Sequence, residues 1–244
     1  MHVLALDTTT PVLTAALLDG DGVVGETIGN ASRSTAEQLP RVLCELLENA
    51  HLEVRAVGLF AVAAGPGSFT GLRVGIATMQ GFAYATGRPL VLISALEALA
   101  QAHALEVSAG GMVGSWINAH RRDVFSALYE IADAPAFSSA RLIERAPPMV
   151  ATPADTLSLW HATAGLPAAI VGDGTTAYAT VIPASIRAMS FPVLATSIAF
   201  MALSRFRDGH APSPHAAQPL YVRRPDAEIA REKRAGASES STSG

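Results

Sequence analysis

Val3-Leu4-Ala5-Leu6-Asp7-Thr8-Thr9-Thr10-Pro11, followed by an almost wholly apolar stretch at 12–18, sets how the rest of the chain is read. It predicts a buried strand, a polar turn and a second strand. Asp19-Gly20-Asp21-Gly22 then supplies hairpin chemistry, since glycine takes positive φ without steric cost, and 23–27 predicts a third strand. The same order returns past Gly110-Gly111. Residues 112–119 are apolar, His120-Arg121-Arg122-Asp123 is a polar turn, and 124–129 is apolar again. The two segments share layout more than identity, which predicts a structural pseudo-repeat.

Between the repeats the signals alternate as βαβ units do. Leu39, Val42, Leu43, Leu46 and Leu47 recur at helical spacing, with Ser34 and Glu37 as a capping box and Pro40 as an early interruption. Residues 57–63 form a short continuous apolar run, as in a strand buried on both faces. That run ends in Gly65-Pro66-Gly67-Ser68-Phe69-Thr70-Gly71, and a helical stretch follows to about Thr86. A strand at 89–93 and a helix from Ser94 and Glu97 to about Ala104 complete this half. The second half predicts a strand at 169–171, a tight turn at Gly172-Asp173-Gly174, a helix at 196–206 and an extended segment at 218–222. The Pro- and Ala-rich stretch 134–155 carries no clear signal. Order and repetition together describe an α/β, actin-like (ASKHA) two-lobe fold, each lobe a mixed sheet with helices. The expected divisions are a first lobe at 1–104, a second at 105–224 whose last helix can pack back on the first, and a disordered polar tail at 225–244.

Composition narrows the chemistry. The chain has 244 residues and 25.2 kDa, a formal net charge of −4, half of its residues hydrophobic and 16% charged. These values exclude a wholly disordered chain. No apolar run reaches the roughly 18 residues of a bilayer span, and the N-terminus lacks a secretory leader pattern, so cytoplasm is the expected compartment. The single cysteine, Cys44, forbids an internal disulfide and any multi-cysteine metal site; within its amphipathic helix it reads as a small inert hydrophobe. Lys233 is the only lysine, which removes Schiff-base chemistry and a Walker lysine from the body of the fold. The body is acidic and only the last residues lean basic, so the chain is not expected to grip nucleic acid unaided. The histidines show neither HxxxH nor HExxH, and there is no GxSxG.

Two elements are candidates for chemistry. The turn Asp7-Thr8-Thr9 offers hydroxyls, amides and a carboxylate to a nucleotide phosphate and its metal; it also reads as a strand end closed by its own side chains. The run Gly65, Gly67, Ser68 aims amides and a helix start at whatever lies above, or is merely a tight strand-to-helix connection. The helix that follows carries small residues four apart, Gly71 and Gly75 on one row, Ala77, Gly81 and Ala85 on another. Glycine in a helix costs about 1 kcal/mol relative to Ala, so these rows predict close packing, against the lobe's own sheet or a partner helix.

Gly65-Pro66-Gly67-Ser68-Phe69-Thr70-Gly71-Leu72-Arg73-Val74-Gly75 closely resembles the signature of the bacterial TsaB (YeaZ) family. Leu4-Ala5-Leu6-Asp7-Thr8-Thr9-Thr10, Leu39-Pro40, Trp116-Ile117-Asn118-Ala119-His120-Arg121, Val171-Gly172-Asp173-Gly174 and Pro219-Leu220-Tyr221-Val222-Arg223 resemble its other landmarks in order, over about 2–225. The resemblance implies the actin-like fold and a non-catalytic role beside TsaD. With TsaD and the ATPase TsaE, the family supports threonylcarbamoyl transfer to the adenosine next to the anticodon of ANN-decoding tRNAs. It implies a heterodimer with TsaD, a homodimer in isolation, tRNA reached only through the complex, and no membrane. It also implies no cofactor of the chain's own, with ATP/ADP and metal on partner subunits. The expected partner interface is Leu39, Val42, Leu43, Leu46, Gly71, Gly75, Met79 and Phe82. Asp7, Thr8, Thr9, Gly65, Gly67 and Ser68 would be a vestigial nucleotide site. Two positions depart from the family pattern: Ser34 stands where His is common, and Asn118 where Asp is common. An amide is the weaker metal ligand, so the second change lowers the expectation of independent ATP hydrolysis. The rival reading is an enzyme, either an actin-like small-molecule kinase or ATPase, or a metallopeptidase-like protein.

Overall fold

The computed structural model describes residues 1–104, 106–189, 193–210, 212–220 and 222. The expected tail at 225–244 lies outside them. The first half runs β1 (His2–Asp7), β2 (Thr14–Asp19), β3 (Gly22–Ile28), α1 (Thr35–Asn49), β4 (Val57–Gly65), α2 (Phe69–Thr86), β5 (Leu90–Ser94) and α3 (Ala95–His103). The second runs β6 (Met112–Asn118), β7 (Val124–Ile131), β8 (Leu142–Ala151), α4 (Pro153–Thr163), β9 (Ala169–Val171), α5 (Gly174–Ala177), β10 (Arg187–Met189) and α6 (Leu194–Arg207).

The pseudo-repeat is a repeat of topology. One sheet has the order β3-β2-β1-β4-β5 and the other β10-β9-β6-β7-β8, the same wiring written from opposite edges. In each, the first two strand pairs are antiparallel and the next two parallel. Thus β6 corresponds to β1, β9 to β4, and α6 to α3. Local signals explain the elements. Ser34 caps α1 by accepting from the Glu37 N–H at 3.3 Å, Ser94 caps α3 through Glu97 N–H at 3.4 Å, and Gly87 closes α2 at φ 65°.

The stretch 134–155, unreadable in sequence, holds β8 and the start of α4. Met149 pairs with Ser126 and Ala146 with Leu128, so Pro147 and Pro148 together face Ala127 alone. This bulge lies on a sheet edge, where missing N–H groups cost no ladder bond.

The layers alternate. Leu4, Leu6 and Leu17 pack with α1 and α2 on one face of the first sheet. Its other face, with Val3, Ala5 and Leu59, shares one continuous core with α3, α6 and one face of the second sheet. Trp116, Trp160 and Leu157 fill the far face of the second sheet under α4. Helix α6 contacts all five strands of the first sheet, whereas α3 contacts β6, β7, β8 and β9 of the second sheet as well as β4 and β5 of its own. Helix α6 thus packs on the first sheet, and α3 lies between the two sheets. No helix among the described residues is long and apolar enough to cross a membrane.

Candidate functional site

Asp7, the last residue of β1, is fully buried. Its Oδ1 accepts from the Thr9 N–H (2.9 Å) and the Thr9 hydroxyl (2.6 Å), while Oδ2 has no partner. Burial pushes this carboxyl up to about 6, against the lowering pull of the Thr9 bonds and with a further push from Asp173. Asp173 follows β9 of the second lobe. Its Oδ1 accepts from the Asn118 N–H at 3.0 Å, and burial raises its pKa too. Two carboxyls, one per lobe, thus come within electrostatic reach at matching strand ends.

The turn 8–10 and the glycine run fit together. The Ser68 N–H donates to Thr9 O at 2.7 Å, and Ser68 Oγ accepts from the Gly71 N–H at 3.2 Å. The Thr8 hydroxyl turns the other way and donates to Gly71 O at 2.8 Å. A Cβ at Gly71 would overlap Thr8 O, and one at Gly75 would overlap Thr8 Oγ1. The first small-residue row of α2 therefore exists so that the helix can sit on the turn after β1. Two amides that could have met a phosphate are already spent on protein oxygens, which leaves this loop a poorer anion cradle than its glycines suggest.

Above the turn lies a cleft of about 690 Å³. Thr9, Thr10, Gly67, Ser68 and Phe69 form one wall and Asn118, His120, Arg121, Phe125 and Asp173 the other, and Leu220 and Val222 also line it. The lining comes from the carboxyl ends of β1, β4, β6 and β9, where open α/β sheets present their ligands. His120, Arg121 and Arg122 take φ values of 56°, 52° and 70°, a left-handed run unusual for side-chain-bearing residues, and Arg121 lines the cleft. Asn118 Oδ1 accepts from the His120 N–H at 2.9 Å and from the Tyr178 hydroxyl at 3.3 Å, so it shapes this turn.

The expected sites are partly rearranged. Thr9, Gly67 and Ser68 line the cleft. Asp7 lies beneath it, Thr8 faces α2, and Gly65 is turned toward Leu220 and Leu72. The expected interface requires a larger correction. Leu39, Val42, Leu43, Leu46 and Met79 are at most 5% exposed and pack on the sheet, as do Gly71 and Gly75 on Thr8; Phe82 is half-buried in the same core. Helical spacing identified the buried face, and a partner can reach only the opposite one. That outer face carries Pro40, Arg41, Cys44, Glu45 and Glu48 on α1, and Arg73, Ala77, Gly81, Tyr84 and Ala85 on α2. Cys44, read in the sequence as a small inert hydrophobe, is exposed. Asp173, Arg121, Phe125, Leu220 and Val222 were missed as cleft residues, although Gly172-Asp173-Gly174 at a strand end was the available signal. Among the described residues no three His, Cys, Asp or Glu side chains converge to hold a metal.

The model of the family described as "TsaD: tRNA N6-adenosine threonylcarbamoyltransferase" matches residues 17–231. The chain belongs to this family. Among curated relatives, the tRNA threonylcarbamoyladenosine biosynthesis protein TsaB of Haemophilus influenzae is 37% identical over 125 residues, 51% of this chain and 52% of that protein. TsaB of Bacillus subtilis is 30% identical over 130 residues, 53% of this chain and 56% of that protein. The chain spans about half the length of the curated relatives it matches. The solved YeaZ from Pseudomonas aeruginosa is 25% identical with a TM-score of 0.73, covering 90% of this chain and 99% of that one. A dehydratase activator from Clostridium difficile, 12% identical with a TM-score of 0.53 over 86% of this chain and 97% of that one, shares the fold. The chain thus has the actin-like two-lobe fold and resembles TsaB/YeaZ.

Proposed function

We propose that the chain is a non-catalytic partner subunit in forming threonylcarbamoyladenosine in tRNA, docking TsaD through the outer faces of α1 and α2. The names of the matched relatives and family support the process. In this reading TsaD carries the transfer, TsaE cooperates, and tRNA, nucleotide and metal are engaged by the assembled complex. The isolated chain pairs with itself through the same face.

The observation that carries the proposal is the second small-residue row of α2. Ala77, Gly81 and Ala85 are exposed, and a Cβ at Gly81 would meet nothing within 4 Å. A helical glycine costs about 1 kcal/mol relative to Ala, and at Gly75 the fit to Thr8 offsets it. Nothing within the described fold does so at Gly81. An approaching helix backbone would, with Tyr84 as an exposed aromatic at the end of the row. Reconstituting the tRNA modification with cognate TsaD and TsaE, with and without the chain, tests this. Modification should collapse on omission and equally with Gly81→Leu, and survive with Asp7→Asn. Full modification without the chain would overturn the proposal.

The cleft supports a second reading, a small-molecule kinase or ATPase using Asp7 and Asp173 on a metal-bound nucleotide. Titration calorimetry with Mg-ATP on the isolated chain separates the two. Saturable micromolar binding accompanied by turnover would favour the enzyme.

A further inference from the structure

We propose that the open edge of β3 accepts an extended segment of a partner protein as an added strand, one whose central basic residue is flanked two positions away on each side by apolar residues. The edge lies beside α1 and apart from the outer faces of α1 and α2, so the inference is independent of the scaffold reading. Strand β3 ends the first sheet and pairs with β2 alone. The phase of the ladder decides which backbone groups it turns outward. The Gly29 N–H donates to Leu13 O at 2.8 Å, and the Gly20 N–H to Met1 O at 3.1 Å. In the two registers these bonds make Leu13, Ala15 and Leu17 the residues that bond to β3, and Thr14, Ala16 and Leu18 those that bond to β1. Gly25 and Thr27 therefore answer β2, while the amides and carbonyls of Glu26 and Ile28 point away from the sheet. They are accessible. Glu26 is exposed, and Val24 and Ile28 on either side of it are 47% and 62% exposed.

The charge at the centre of this edge selects the occupant. A Cβ at Gly25 would overlap Leu46 of α1, whereas the Thr196 hydroxyl of α6 donates to Glu26 Oε1, so Glu26 lies on the α6 side. Its acidic neighbours are taken: Asp19 by the Met1 amine at 3.1 Å and Asp21 by Arg207 at 2.7 Å. Glu26 meets only that neutral hydroxyl, and among the described residues no cation pairs with it. A second copy adding antiparallel in the central register would set Glu26 directly against Glu26, and like charges so placed destabilise. A lysine or arginine in that place supplies a cross-strand ion pair instead, with apolar residues covering Val24 and Ile28. The site is short. A bulge at Val23 and Val24 closes one end, and Asn30, whose N–H donates to Gln38 Oε1 at 2.7 Å, turns the chain toward α1 at the other. Backbone bonding to Glu26 and Ile28 would supply affinity, and the carboxylate would supply the choice of partner and disfavour self-pairing.

The probe is a fluorescein-labelled peptide with lysine at its centre, valine two positions away on each side and threonine elsewhere, followed by anisotropy on the full chain. It should bind saturably and weaken about fivefold with Glu26→Lys. A glutamate-centred peptide should show the reverse preference, weak on the parent and stronger on Glu26→Lys. Ile28→Pro removes an outward N–H and spares the β2 ladder, so it should also weaken binding about fivefold with circular dichroism unchanged. The lysine peptide N-methylated throughout should lose saturable binding to the unaltered protein, an arm that needs no variant to fold. No saturable binding by the lysine peptide, equal binding of the lysine and glutamate peptides by the parent, or undiminished binding after N-methylation would overturn the proposal. So would self-association in sedimentation velocity that Ile28→Pro abolishes, which would assign the edge to a second copy of the chain.

Discussion

Asp7 shows how one buried carboxyl ties stability to acidity. Its pKa lies near 6 in the fold, above the ordinary 3.8, so the folded state holds the proton more tightly than the unfolded chain. Folding is therefore favoured by this group below about pH 4, and that contribution is lost as pH rises through about 6. The full loss is on the order of 3 kcal/mol. Asp7→Asn keeps an acceptor for the Thr9 N–H and hydroxyl and removes the ionisation. Urea unfolding should find the variant more stable than the parent at pH 8, by up to about 3 kcal/mol, and nearly equal to it at pH 4. Glycines divide in the same concrete way. Gly71→Ala drives a methyl into Thr8 O and should cost about 1–3 kcal/mol, whereas Gly81→Ala enters open space and should gain about 1 kcal/mol. Thermal denaturation of the pair measures both signs. Sequence spacing placed Gly71, Gly75 and Gly81 on rows of one helix, but only the position of Thr8 tells which row is filled from within.

At the scale of elements, the ends are written locally and the faces are not. Ser34 accepts from Glu37 N–H as the capping pattern predicts, and Ser34→Ala should lower α1 stability by about 1 kcal/mol. Hydrogen exchange should show faster opening in the first turn of α1, with β4 unaffected. The apolar rows of α1 and α2 were equally legible, yet legible as core. Leu39, Val42, Leu43 and Leu46 bury against the sheet, so the proposed docking surface is the residue set that hydrophobic periodicity leaves out. Strand β8 was hidden for the opposite reason. Pro147 and Pro148 oppose strand propensity, and only their position at an edge bulge makes them tolerable. Helix α4 had a readable start in Thr152, Pro153 and Asp155, where Thr152 accepts from the Asp155 N–H at 3.2 Å.

For the whole molecule, the repeat was visible in the order of strands and turns and a last helix packing back on the first lobe was expected, but the seating of α3 between both sheets was not legible. That seating depends on contacts between residues far apart in the chain. Val3, Ala5 and Leu59 lean on a layer containing Leu194, Ile198 and Ala202. A fragment ending at residue 104 would expose this face, and it should lack dispersed amide resonances in a two-dimensional NMR spectrum while the full chain shows them. A well-dispersed, cooperatively unfolding fragment would mean the lobes are separable. The cleft follows from the same long-range pairing: Asp7 and Asp173 were each readable as turn residues, and only the meeting of the two sheets makes them neighbours.

Helix α2 has one row of small residues satisfied within the fold and a second, exposed row that the proposed partner would cover. Sedimentation velocity of the chain mixed with cognate TsaD tests this docking most directly, using the parent, Gly81→Leu and Gly81→Ala. The parent and Gly81→Ala should sediment as a stable complex, and Gly81→Leu as separate folded components. A complex of equal affinity with leucine at this position would contradict it.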